Sequence, residues 1–598
     1  MAVETGKKYM ILKWFGAALL IVALLLTALT WYLSAKLKPI ITAELKELVL
    51  KTTDNLYQIE FSSVNVNVLT GISSLNDVKI FPDTAVYNRM VETKRAPNNL
   101  YHIKLIKLAI RNFHPWQLWR YKRLNIDLLL FDNPSIEMTN RQFDFNEAKL
   151  PQPKRSPYDY ISKYLKELRI HTIDFKNASF KYINNNNPEV PKIDALSNLN
   201  VTLKDWLIDA HSATDESRIY LLKDVVINLN NYNYATPDSL YYIKLNQLDF
   251  AASSGKLNIK SFSVEPRYSE RLFGSTLGYA KDRYSIQMSD IGLTGIDLPL
   301  YILKQELFAR EMNIANGSLA VVNNNTLPKK IENKTGQYPH QQLQRASGKL
   351  SIEKLNLNNI DISYAEFDKE GKNKGVITFE HTWGTISNVT NVEKVKARNH
   401  FMVVDLSASV MGTGKLDVNF KFDLTAKNGA FSYSGALVNM EGKALNRITK
   451  SLGLVKVNSG HIDKLAFDIQ ANDQLAKGEV SFAYKDLSVA ILKKVKGEDR
   501  LVKQGLISFL ANALVINSDN PNVNGIFVKA PITHKRVETA SFFNFIWKTL
   551  FQGVKYSVGL TPQKEQKIKA QMAKFERIKA DRQERIKRRE RRSGAKKG

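Results

Sequence analysis

The sequence predicts a mainly β protein carried on one N-terminal transmembrane helix, with few short helices elsewhere. Three observations predict it. A single uncharged apolar run, Phe15–Leu33, stands between Lys13 and Lys36. Strand-like alternation of apolar and polar residues recurs through the hundreds of residues that follow. A pattern of strand, crossing, strand and turn also returns at fixed spacing.

A helix the length of Phe15–Leu33 spans roughly 30 Å, the hydrocarbon thickness of a bilayer. Trp14, Trp31 and Tyr32 stand at its ends, where interfacial aromatics belong. A cleaved signal would have a shorter apolar stretch and a small-x-small site; Leu33-Ser34-Ala35 fits that poorly, so the run reads as a permanent anchor. Lysines flank it on both sides, so the positive-inside count leaves orientation open.

Pro39–Thr53 then reads as an amphipathic helix, with Ile40, Ile41, Leu45, Leu48 and Val49 on one face. Strand patterning follows. Val64, Val66 and Val68 alternate with asparagine, which places the valines on one side of a pleat. Ile103–Ile110 is a second run. Leu416–Leu424 is the clearest, with Leu416, Val418, Phe420 and Phe422 alternating with Asp, Asn and Lys. Lys427-Asn428-Gly429 reads as the turn of a hairpin to Phe431–Ser434. An offset of 183 carries Ile103–Met138 onto Ile286–Val321, and Leu168–Tyr182 finds an echo in Leu350–Tyr364. Such spacing indicates a stacked or extended β architecture.

The chain has 598 residues, a formal charge of +28 and no cysteine. A disulfide framework and thiolate metal sites are therefore excluded. Phosphate-binding, metalloprotease, hydrolase-elbow and dinucleotide motifs are missing, and no carboxylate pair stands out. No enzyme activity, metal or cofactor is expected. Much of the charge lies in the tail from Lys564, where Arg585, Arg588, Arg589, Arg591 and Arg592 are placed to meet anionic lipid. That tail also reads as a nucleic-acid patch or a solubilising extension. A periplasmic location would remove nucleic acid from its partners.

The layout from Leu12 to about Ile80 resembles the AsmA-like family, which itself resembles bridge-like lipid-transfer proteins. The features are the anchor, the helix Pro39–Thr53, the strand Tyr57–Val68 closing on Leu69-Thr70-Gly71, and the partner run Ile72–Phe81. Leu124–Met138 is similar to the family's strand–Pro–strand pattern, and Gly412–Gly559 to its closing domain. The resemblance implies a single-pass inner-membrane protein of a Gram-negative envelope with its bulk in the periplasm. It implies an elongated, curled antiparallel β-sheet that forms an open apolar groove. It divides the chain into 1–36 (cytoplasmic stub and anchor), 37–411 (N-terminal and repetitive groove region), 412–560 (C-terminal β domain with an apolar helix) and 561–598 (basic tail). It implies phospholipid movement between inner and outer membrane and support of outer-membrane integrity. The alternative is a scaffold for outer-membrane protein assembly that meets outer-membrane or periplasmic proteins through its strand edges.

Groove-lining candidates are Val64, Val66, Val68, Leu416, Val418, Phe420 and Phe422. Acyl chains exposed to water cost about 0.8 kcal/mol per CH₂, so a greasy trough needs no specific contacts to hold them. The same alternation suits the closed core of a sandwich equally well. Ser541–Val554 carries Phe542, Phe543 and Trp547 and is too short to span a bilayer. It reads either as an interfacial helix or as a core helix plugging the end of a sheet.

Overall fold

The computed structural model describes residues 37–67, 72–146, 156–187, 192–368, 373–453, 455–494, 501–503 and 516–567, with scattered tail positions as far as 586. The run Phe15–Leu33 with Trp14, Trp31 and Tyr32 lies outside the described residues, as do Val68, Arg588, Arg589, Arg591 and Arg592. Among the described residues, no helix is long and apolar enough to cross a membrane.

The described chain is mainly β, with few helices. It divides into two compact units: residues up to 265 with 288–313, and residues 266–287 with 314–598. Gly412, the expected start of the C-terminal β domain, sits at φ +72° in the turn of a hairpin inside the second unit.

The first unit begins with helix Leu37–Thr52, close to the expected bounds. It ends where Asp54 and Asn55 turn left-handed and the Asn55 amide donates to the Leu50 carbonyl at 2.7 Å. Its strands are β1 (Tyr57–Glu60), β2 (Ser63–Asn67), β3 (Ile72–Pro82), β4 (Asn99–Phe113), β5 (Arg123–Asp132), β6 (Ser135–Asn140), β7 (Glu167–Asn184), β8 (Lys192–Ile208), β9 (Asp224–Leu229), β10 (Tyr232–Ala235) and β11 (Tyr241–Ala251). Strands β1 and β2 both pair with β3, and β3 pairs with β4. Strands β5 and β6 are one strand broken at Asn133-Pro134, and both halves pair with β4. Proline has no N–H to give the ladder, so the break falls there.

The expectation of an antiparallel sheet needs correction here, because β5 and β6 run parallel to β7. The connection from Asn140 to Glu167 contains helix Pro157–Ile161 and is long enough to carry the chain back for parallel pairing. Antiparallel pairing then resumes through β7, β8, β9 and β11. The core of this unit lies where Leu45 and Val49 of the first helix meet Val64, Leu75, Ile103, Leu108, Ile126, Phe131 and Leu168, all buried.

Three strands follow, β12 (Lys256–Pro266), β13 (Arg283–Thr294) and β14 (Glu306–Asn324). The second unit then continues with β15 (Lys349–Phe367), β16 (Lys374–Thr390), β17 (Phe401–Val410), β18 (Gly414–Asp423), β19 (Phe431–Glu441), β20 (Val455–Ala471), β21 (Leu475–Lys494), β22 (Leu501–Lys503) and β23 (Lys529–Lys535). From β15 to β21 each strand pairs antiparallel with the next, and β21 pairs with β22 and β23. The β18–β19 hairpin has the expected turn, with Gly429 at φ +64° and Phe422 opposite Phe431.

The repeat is structural as well as sequential. The offset of 183 carries helix Pro115–Tyr121 onto helix Leu298–Lys304, and both end on a left-handed residue, Lys122 and Gln305. An offset of 182 carries β8 onto β16. Asn177 in β7 and Asn359 in β15 both have positive φ at a break in register. Asparagine tolerates that conformation better than most residues do.

Candidate functional site

Each unit carries an apolar row that crosses its strands one residue per strand. In the first unit the row runs Val64, Leu75, Leu108, Phe131, Phe175, Val201, Ile227, Phe250, through β2, β3, β4, β5, β7, β8, β9 and β11. Directly opposed residues share a face of the pleat, so the row is a continuous stripe. Its first four members are buried, at 5% exposure or less. Phe175 stacks on Phe131 with ring centroids 4.5 Å apart. Beyond it Val201 and Ile227 are half-buried and lie outside the core cluster around the first helix. Leu199 and Leu248 flank Leu229 in the neighbouring row, and both are also half-buried. The stripe therefore starts inside a core, passes through half-buried apolar residues and ends on Phe250, which is buried again at 6% exposure.

In the second unit the row runs Leu355, Ile386, Val404, Phe420, Tyr433, Ile469, Gly478, Ile532, from β15 to β23. Helix Phe542–Ser557 lies against this face. Ser541 accepts from the Asn544 amide at its start, and Phe545, Thr549, Gly553 and Ser557 form its buried side. Gly553 is pressed so close that a Cβ there would stand 2.4 Å from Val480. Phe542 packs over Phe420, Phe422 and Phe431, with ring centroids 5.4–6.3 Å away.

A buried ion pair holds the loops that carry this helix. Arg536 donates to Asp473 at 2.9 Å, with the two side chains 1% and 9% exposed. Arg536 also donates to the carbonyl of Lys334 and lies 4.3 Å over the Tyr338 ring. Asp473 accepts further from the Gly336 amide and from Gln341. His340 is buried nearby against Phe422, at 4.9 Å, and neither ring nitrogen has a hydrogen-bond partner. Burial holds its imidazole down at about 4, against the opposing pull of Asp473 and Asp423. An open cavity of about 370 Å³ beside it is lined by Arg345, Glu393, Lys396, Asp423 and Lys427. That lining is too charged for a hydrocarbon tail.

These placements sort the expected site residues. Val64 and Phe422 are core side chains, each 5% exposed, because the first helix and the terminal helix cover them. They do not line an open groove. Leu416, Val418 and Phe420 are half-buried at the margin of the aromatic core. Val66 is placed only as a backbone position opposite Ser73. Of the interface candidates, Phe542 is half-buried and packs against the aromatic core, as the core-helix alternative has it. Phe543 and Trp547 are 66% and 43% exposed and form a ridge with Phe551, beside the exposed Lys548. Arg585 is exposed. The sequence reading passed over Val201, Ile227, Leu199 and Leu248. Alternation within Val201-Thr202-Leu203 and Ile227-Asn228-Leu229 was the available signal, but it is too short to stand out.

No known protein-family model matches this chain, and no curated protein matches it.

Proposed function

We propose that this chain is an AsmA-like envelope protein that carries phospholipid acyl chains on the uncovered part of its apolar pleat. The observation that carries the reading is the first unit's stripe. It passes without interruption from the buried Phe131 through the half-buried Phe175, Val201 and Ile227 to the buried Phe250. A hydrocarbon tail laid there gains the same solvent exclusion as a core side chain, about 25 cal/mol for each Å² removed from water. Alternation also puts the polar partners of the stripe on the opposite face, which stays wetted.

On this reading the pleat is the open trough that the resemblance implies, and Phe15–Leu33 tethers it to the inner membrane. Lipid moves by partition along an apolar surface, without bond chemistry. The phospholipids of the two envelope membranes are the partners, and outer-membrane integrity is the outcome.

The test is to purify the full chain in a mild detergent and analyse the lipid it retains by mass spectrometry. Stoichiometric glycerophospholipid is expected, and the double variant Val201→Asp/Ile227→Asp should lose it while keeping its fold. A lipid-free wild-type chain, or equal retention by the variant, would overturn the reading. The first of those results would favour the assembly-scaffold alternative.

A further inference from the structure

Helix Pro115–Tyr121 of the first unit displays large aromatics that the fold does not use. Trp116, Trp119 and Tyr121 are 63%, 59% and 53% exposed, and the two indoles lie 5.2 Å apart. Of this helix, Leu118 packs against the unit's core. Tyr164, 76% exposed, belongs to the same surface, because the Lys166 amide donates to the Lys122 carbonyl at 2.8 Å. Around these rings Arg120, Lys122, Arg123, Lys163 and Lys166 are all exposed. The carboxylates nearby are Glu167, 3.5 Å from Arg123, Asp127, 3.1 Å from His114 at the start of the helix, and the exposed Asp159 of helix Pro157–Ile161.

The structural repeat shows that the fold does not require this composition. The equivalent helix Leu298–Lys304 keeps the length and the left-handed end, yet Trp116 and Trp119 correspond there to Pro299 and Ile302. The cations Arg120, Lys122 and Arg123 correspond to Leu303, Gln305 and Glu306.

We propose that this tryptophan and cation surface docks on an anionic phospholipid bilayer. Indole and phenol rings settle at the headgroup level, and lysine and arginine are drawn to an anionic leaflet. Two features argue for a bilayer as the occupant. One is this complementarity, in which exposed aromatics are ringed by five cations. The other is the chain outside the described residues. The uncharged apolar run Phe15–Leu33 leads directly into helix Leu37–Thr52, whose Leu45 and Val49 pack on the same core as Leu118. Docking would fix the orientation of the first unit on the membrane that holds its anchor. It does not depend on acyl-chain carriage, so a chain that retains no lipid can still dock.

The absence of cysteine makes the test direct. Single spin labels are placed on the full chain at Trp119→Cys, at Tyr164→Cys and, as an exposed reference in the same unit, at Ser254→Cys. Each protein is reconstituted into phosphatidylethanolamine vesicles with and without phosphatidylglycerol. Labels at 119 and 164 should collide more with oxygen than with a water-soluble nickel chelate when phosphatidylglycerol is present, and the label at 254 should do the reverse. Adding Arg120→Gln, Lys122→Gln and Arg123→Gln should weaken docking by about fivefold per cation removed. Labels at 119 and 164 as open to nickel as the one at 254 would overturn the proposal. So would labels already immobilised in detergent, because a protein surface would then be the occupant. Circular dichroism of each labelled chain checks that it is folded.

Discussion

The two apolar rows are covered in different places. In the second unit Tyr433, Ile469 and Ile532 of the stripe are buried in the aromatic core that includes Phe545 of the terminal helix, while Leu355, Ile386 and Phe420 lie half-buried at its margin. In the first unit the stripe is buried at Val64 and Leu75 in the core of the first helix, runs half-buried through Val201 and Ile227, and is buried again at Phe250. The strands use the same period in both places. An alternating strand specifies one greasy face, and whether that face is a core or a surface depends on having another amphipathic element to cover it.

The largest expected effect breaks the comparison at its closed end. Phe422→Asp should cost more than about 5 kcal/mol, because it removes a buried ring and leaves an unpaired charge among aromatics. Ile227→Asp, on the open stretch of the other row, should cost about 1–2 kcal/mol by strand preference and partial burial. Urea unfolding followed by tryptophan fluorescence measures both. Equal losses would mean that the two faces are closed to the same degree.

Arg536→Ala comes next, at about 3–5 kcal/mol, because it strands the Asp473 carboxylate in the interior. The terminal helix should loosen with it, read as faster amide exchange at Phe545 and Thr549.

His340 sharpens the comparison through pH. Burial depresses its folded value to about 4, below its ordinary value near 6.5. As pH falls through that interval the unfolded chain takes up a proton that the folded chain refuses, so stability drops. The loss grows to about 3 kcal/mol by pH 4, and above pH 7 the contribution is constant. His340→Phe should remove this part of the acid sensitivity. The measurement is the difference between wild-type and variant urea midpoints across pH 4–7, and a constant difference would refute it.

The smallest expected effect concerns the fit of the cover. Gly553→Ala pushes a methyl group at Val480 and should cost about 1–3 kcal/mol. Trp547→Ser, on the exposed side of the same helix, should change stability by less than about 0.5 kcal/mol. Thermal melts of the two variants would separate these faces.

Much of the local structure was legible beforehand because it depends on short-range periodicity. Leu416–Phe422 reads as a strand, Asn428-Gly429 as its turn, and Leu45 with Val49 as a helix face, each from spacing alone. The repeat offset was legible for the same reason and extends to the left-handed ends at Lys122 and Gln305. What covers Phe422 was not legible. Phe542 lies 120 residues further on, and no local pattern couples the two positions. The parallel pairing of β5 and β6 with β7 was equally hidden, since alternation marks a strand without naming its neighbour or its direction.

By itself the amino-acid sequence determined the mainly β character, the hairpins, the helix after residue 36 and the repeat. All of these follow from backbone preferences and side-chain alternation within a few residues. Tertiary structure alone decided that Val64 and Phe422 are core, that Phe542 packs over Phe422, that Val201 and Ile227 stay half-buried, and that Trp116 and Trp119 face outward. Exposure is set by which distant segment has an apolar face to spare, and that is a property of the packed chain as a whole.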